Sequence, residues 1–168
     1  RQTLYFVRHG EAVHNVAKAE YTGPWKWYDQ PQLLDAPLSE RGMEQARSTR
    51  WPMRTRRTPT THGPPDPNYP RRDAPPSYAQ AHRLQQQTGA LHVDVLVSSP
   101  LTRALQTASI AFAPQLADGS IPAISLEGCR ERFGKQNPDA RKRTSEVAAQ
   151  FPRFDMSRLA KADALHGK

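Results

Sequence analysis

Cysteine is almost missing from this chain: Cys129 stands alone among 168 residues. No disulfide can close within it, and such usage suits a reducing compartment. One Cys without a strong local signature reads as a small, partly buried side chain rather than a nucleophile. Apolar runs are short, and none approaches the roughly 20 residues that span a bilayer, so no membrane partner is expected. Residues Arg1 to Val7 lack the charged-then-apolar layout of a secretory leader. Acidic residues are scarce beside basic ones, 16 Asp and Glu against 24 Lys and Arg, leaving a formal net charge of +8. The isoelectric point is about 10.1, a balance that favours anionic partners such as phosphorylated substrates, nucleic acid or an acidic surface.

Proline, by contrast, is abundant, 16 residues in all, and eight of them fall between Trp51 and Pro76. That segment also holds Arg54, Arg56, Arg57, Arg71 and Arg72, and it lacks the apolar surface needed to offset its ordering entropy. It reads as an exposed insertion at about 51–76 in an otherwise single domain covering 1–168. Arg141, Lys142 and Arg143 form a second basic cluster. A solvated face explains both clusters. A nucleic-acid surface is the sharper alternative, but no interleaved aromatics or RNA-binding motif support it.

Local chemistry divides the rest into alternating strands and helices. Thr3 to Val7 is a continuous apolar and β-branched run, as expected of a strand covered on both faces. A short helix follows over His14 to Glu20, then a loop from Gly23 to Pro37 carrying Trp25, Trp27 and Tyr28. Ser39 caps a helix that runs to about Arg50, with Leu38 and Met43 at the two positions of a hydrophobic staple. Ser77 to Gln87 reads as a helix ending near Gly89. Val93 to Val97 is a second strand, broken at Ser98-Ser99-Pro100, where Ser99 suits an N-cap and Pro100 a first helical position. The helix beyond places Leu101, Ala104, Leu105, Ala108 and Phe112 on one face. A third strand covers Pro122 to Leu126, and a last helix Thr144 to Gln150. This alternation implies an α/β three-layer sandwich with a mostly parallel central sheet.

The strand ends hold the chemistry. Arg8 and His9 follow the first strand, Arg103 lies in the first helical turn after the second, and Glu131 follows the third. In open α/β sheets the ligand crevice lies beyond the carboxyl ends of the strands. Arginine gives planar, bidentate donors to phosphate oxygens and keeps its charge. Histidine offers a neutral, nucleophilic nitrogen near neutral pH. A carboxylic acid whose pKa is raised by burial can protonate a leaving oxygen. Together they suit phosphoryl transfer. His62, His82 and His92 read as solvent-facing, and their spacing suggests no metal site.

Leu4-Tyr-Phe-Val-Arg-His-Gly-Glu11 resembles the signature of the histidine phosphatase superfamily. An Arg-His-Gly-Glu string arises by chance in a chain this long only about once in a thousand. Asp35-Ala-Pro-Leu-Ser-Glu-Arg-Gly-Met-Glu-Gln-Ala46 and Ser98-Ser-Pro-Leu-Thr-Arg-Ala-Leu-Gln-Thr-Ala108 are similar to two later blocks of that family. His14-Asn15, Cys129-Arg-Glu-Arg-Phe-Gly134, Asp139-Ala-Arg-Lys-Arg143 and Phe151-Pro-Arg-Phe-Asp155 resemble plant and fungal phosphoglycerate-mutase-like proteins. The resemblance implies a phosphomonoesterase with no cofactor and a small phosphorylated substrate. His9 would carry the phosphoryl group, Arg8 and Arg103 would clamp it, Glu131 would be the proton donor and Asn15 would line the pocket. Glu127 lies close enough in sequence to compete with Glu131, and Asn15 reads equally as a simple helix cap.

The family normally supplies a second histidine from a later strand, and no such strand is found before Lys168. His166-Gly167 has only a superficial likeness, because Ala-Asp-Ala-Leu before it is helical in character. The sequence therefore reads as the N-terminal portion of such a domain, and two explanations stay open. Either it is a piece of a longer catalytic chain, or the fold is catalytically inactive and serves as a basic structural subunit of a ribonucleoprotein or mitochondrial assembly. Loss of one oriented donor to a developing charge typically costs about 10²–10³ in rate. A cytoplasmic location is the expectation, with a mitochondrial one as the alternative.

Overall fold

The short β-branched runs and the helix-capping residues place the elements in a computed structural model that describes residues 2–23, 27–48, 93–131 and 136–163. The chain divides into two units, Arg1–Arg50 with Val93–Lys168, and Trp51–His92. The proline-rich segment and the helix expected over Ser77 to Gln87 lie outside the described residues.

The sheet of the first unit pairs β1 (Leu96–Ser98) with β2 (Ala123–Ser125) in parallel, with Leu96 opposite Ala123 and Ser98 opposite Ser125. Asp155 adds a single parallel bridge to Ile124 on the other side of β2. Parallel strands need a crossover, and here it is made by two helices, α3 (Thr102–Ala111) and α4 (Ala113–Asp118). The chain is thus α/β, a small parallel sheet with helices around it. Because both strands run the same way, their carboxyl ends open at one edge, and the segments carrying Arg103 and Glu131 leave from there.

The remaining helices are α1 (Val13–Glu20), α2 (Glu40–Ser48) and α5 (Thr144–Gln150). Ser39 caps α2 as its chemistry demands, accepting the Gly42 N–H at 3.1 Å. On α3 the apolar face expected from the sequence is buried at Leu105 (0% exposed), and Leu101, Ala108 and Phe112 are buried with it. A left-handed turn at Gly119 (φ +70°) ends α4, a conformation that glycine adopts without steric cost.

Three expectations fail, each for a physical reason. Thr3 to Val7 is not a strand: it has no ladder partner among the described residues, and Leu4 and Phe6 are 78% and 89% exposed. A strand needs a hydrogen-bonding neighbour and a covered face, which local propensity cannot supply. The chain is tethered only from His9 and Gly10 onward among the described residues, the Gly10 N–H donating to Thr107 Oγ1 at 3.1 Å. Second, α3 does not begin on Ser99 and Pro100. Leu101 is its cap residue with no side-chain cap of its own, and the Thr102 N–H is taken by Asp35 Oδ1 at 2.8 Å. Third, Cys129 is exposed rather than partly buried.

Asp35 therefore caps a helix that lies 67 residues further along the chain. It also accepts the Thr102 hydroxyl at 2.7 Å, is fully buried, and sits at φ +48°, a region that Asp tolerates better than most residues. Gly10 and Gly42 allow a second long-range joint. A Cβ on Gly42 would fall inside the contact radius of the Glu11 carbonyl, and one on Gly10 would strike the Gly42 carbonyl. These joints hold the loop after residue 8 against α2 and α3.

Removing the Asp35 carboxylate leaves the buried Thr102 N–H and hydroxyl unpaired, at a cost of about 1–3 kcal/mol each. Asp35→Ala is expected to lower the urea midpoint markedly, whereas Asp35→Asn, which keeps an acceptor for Thr102, is expected to lose less. Equal losses in the two variants would contradict the capping role.

Candidate active site

Four segments converge near His9. The turn at Arg8-His9-Gly10 is pinned by Thr107 of α3, and the Thr107 hydroxyl in turn donates to the Arg103 carbonyl at 2.8 Å. Arg103, one turn earlier on the same helix, is 1% exposed, although a guanidinium normally stays in water. Its NH1 donates to the Pro138 carbonyl at 2.5 Å and its NH2 to Asp139 Oδ1 at 3.4 Å. Its Nε donates to His9 Nε2 at 3.2 Å. The two residues are 94 positions apart in sequence.

The proton positions on His9 follow from these partners. Its Nδ1 lies 2.7 Å from the Gly10 carbonyl, which can only accept, so Nδ1 carries the hydrogen. Nε2 then holds the lone pair, in keeping with the Arg103 Nε–H aimed at it. Burial pushes the His9 pKa below its ordinary 6.5, and the charges of Arg103 and Arg8 add to this, while the Gly10 hydrogen bond and Glu131 oppose it. The ring is therefore neutral at pH 7, with a nucleophilic nitrogen facing a fixed guanidinium. Burial also lowers the Arg103 pKa, against the pull of Asp139, Asp35 and Glu131.

The other residues expected at the site fall into place unevenly. Glu131 Oε2 is 3.8 Å from His9 Nε2, but its side chain is 59% exposed, so the burial that would favour a proton-donating carboxyl is not present here. Glu127 is committed elsewhere: Arg141 Nε donates to it at 2.8 Å with Arg141 NH2 in ion-pair contact at 2.7 Å, and Arg130 donates at 3.2 Å. Arg8 is exposed, yet its charge weighs on both His9 and His14. Asn15 caps α1, its Oδ1 accepting the Ala12 N–H at 2.9 Å, while its Nδ2 lies 3.1 Å from His14 Nε2. Among the described residues no group of three His, Cys, Asp or Glu side chains could hold a metal ion, and no helix is long and apolar enough to cross a membrane.

Sequence reasoning missed Thr107, Pro138 and Asp139, because each acts through a contact distant in sequence or through a backbone carbonyl. It also misjudged part of the second basic cluster. Arg141 is buried, not solvated, and binds Glu127, Thr144 Oγ1 and the carbonyls of Lys142, Ala160 and Ala162. Arg130, also buried, donates to Asp163 at 2.8 and 3.0 Å and to the Asp139 carbonyl. Asp139 is thereby shared: its carbonyl meets Arg130 and its carboxylate meets Arg103.

Acid titration checks the electrostatics. His9 is expected to protonate below pH 6.5, and Glu131→Gln is expected to push that transition lower, since the carboxylate's negative charge favours imidazolium. Histidine side-chain NMR reads both; a His9 transition above 6.5, or an upward shift in the variant, would contradict the arrangement.

Comparison with known proteins adds two findings. A family model described as "Histidine phosphatase superfamily (branch 1)" matches residues 75–164. The chain is also similar to "Phosphoglycerate mutase-like protein 1" of Arabidopsis thaliana, 24% identical over 180 aligned positions that cover 93% of this chain and 52% of the relative. The chain thus spans about half the length of that relative.

Proposed function

Because the chain belongs to the histidine phosphatase superfamily, whose function is phosphatase- or mutase-like, we propose that it hydrolyses small phosphate monoesters through a phosphohistidine on His9. The observation that carries this reading is the 3.2 Å approach of a buried Arg103 Nε–H to His9 Nε2, with the opposite ring nitrogen held by the Gly10 carbonyl. His9 is thereby oriented as a nucleophile, and Arg103 stands as a cation beside the attacking nitrogen.

The steps follow from that geometry. A phosphate ester dianion enters between Arg8 and Arg103, and the Arg103 Nε–H turns from His9 Nε2 to a phosphoryl oxygen, which frees the lone pair. His9 Nε2 forms a bond to phosphorus as the ester P–O bond breaks, and the leaving oxygen takes a proton from Glu131. The Gly10 carbonyl then stabilises the positive charge on the ring through Nδ1–H. Water attacks the phosphorus of the phosphohistidine, gives a proton to Glu131, and the P–N bond breaks to release inorganic phosphate. The chain's own groups supply nucleophile, charge clamp and proton relay. Glu131 can serve as the donor only when a bound ester covers its exposed carboxyl, so substrate binding and proton transfer are coupled.

Incubating the full natural chain with a phosphorus-labelled monoester, quenching in alkali and mapping the label tests this. Acid-labile label on His9, lost in His9→Ala, is the expected result. Arg103→Ala is expected to slow label formation about 10²–10³-fold, the usual effect of deleting one fixed donor to a developing charge. Folded protein that takes up no label would favour the second reading, a basic structural subunit, especially if it bound nucleic acid in a salt-dependent way.

A further inference from the structure

The proposed reaction leaves one buried titratable side chain beside the nucleophile without a task. His14 is the second residue of α1, is 8% exposed, and its ring centroid lies 6.2 Å from that of His9 with the planes tilted by 57°.

Its protons can be placed by following donors and acceptors outward from the backbone. The Ala12 N–H can only donate, and it donates to Asn15 Oδ1, which orients the Asn15 amide. Asn15 Nδ2 must then be the atom facing His14 Nε2, and an amide nitrogen likewise only donates. His14 Nε2 is therefore an acceptor, and a neutral ring carries its hydrogen on Nδ1. Burial first, then the charges of Arg103 and His9, bring the His14 pKa down to about 4, so the ring is neutral at pH 7. Its Nδ1 is buried and has no hydrogen-bond partner among the described residues.

A buried donor without an acceptor is uncommon in a folded protein, and its occurrence calls for an explanation. The groups whose charges weigh on His14 are Arg103, His9, Glu131 and Arg8. Three of these, Arg103, Glu131 and Arg8, are the charges that weigh on His9. The donor thus lies beside His9, in a cluster where Arg103 and Arg8 carry the positive charge, Asp139 is already paired with Arg103, and Glu131 is exposed. The acceptor that suits such a cluster is an incoming oxyanion.

We propose that His14 is a phosphate-binding residue, donating its Nδ1–H to a nonbridging oxygen of the phosphoryl group held by Arg8 and Arg103. This rests on the function proposed above and adds a ligand to that site. A neutral imidazole supplies direction without adding a third full positive charge, which would compete with the two arginines for the same small dianion. Asn15 then acts on the substrate through His14: by holding Nε2 as an acceptor it fixes the donor on the opposite nitrogen.

Long-range proton–nitrogen NMR of the full natural chain, labelled with nitrogen-15 and titrated with inorganic phosphate, tests this. His14 is expected to be the Nδ1–H tautomer at pH 7, and its Nδ1 resonance is expected to move with that of His9 as phosphate is added. His14→Phe keeps a ring but removes the donor and is expected to weaken phosphate binding about tenfold. His14→Asn, which offers an N–H near the same position, is expected to recover most of that loss. If phosphate moved His9 but left His14 unmoved, or if folded His14→Phe bound phosphate as tightly as the wild type, the role of His14 would be overturned and the proposed function would stand. If phosphate moved neither histidine, both would fall. Should His14→Phe fail to fold, the wild-type titration decides alone.

Discussion

A guanidinium in the interior has to be matched by acceptors, because removing such a group from water costs several kcal/mol even after the surroundings relax. Arg103 meets this condition with the Pro138 carbonyl, the Asp139 carboxylate and His9 Nε2. Much of the first unit is arranged around it. Asp35 caps the helix that carries it, Thr107 links its backbone to the signature turn, and Asp139 is itself anchored by Arg130. Moving any of these partners would leave a buried charge less well matched.

The second group of buried charges has a different task. Arg130 and Arg141 gather Glu127, Asp163 and the carbonyls of Asp139, Ala160 and Ala162, and so tie the turn after β2 to the segment after α5. Glu131 is the next residue after Arg130, so the anchoring of Arg130 also limits where Glu131 can go. Glu127, equally acidic and only four positions away, is taken up by two arginines and has no part at His9. Two similar carboxylates thus come to differ by their neighbours alone.

What could be read from the sequence was what local chemistry decides. Ser39 announces α2, the helix over Thr144–Gln150 lies where its pattern puts it, and the Val93 to Val97 run anticipates a strand that the structure places at Leu96–Ser98. The Arg8-His9 and Arg103 motifs stood out by residue type, and the structure brings Arg103 Nε to 3.2 Å from His9 Nε2. What stayed hidden depends on contacts between distant positions. Nothing near Thr102 signals that its cap is Asp35, and nothing near Arg141 signals that it is buried. The apolar run at Thr3 to Val7 misled for the opposite reason. Strand propensity is local, whereas a ladder needs a partner, and the described sheet provides none for it.

Under the proposed function, the atom of His9 that takes the phosphoryl group is Nε2, because Gly10 occupies Nδ1 and Arg103 stands at Nε2. Phosphorus–nitrogen correlation NMR of the phosphorylated, nitrogen-15-labelled protein reads this directly. A phosphorus coupled to His9 Nε2, with Nδ1 still protonated against the Gly10 carbonyl, is the predicted result. Phosphorus on Nδ1, or on any other residue, would contradict it.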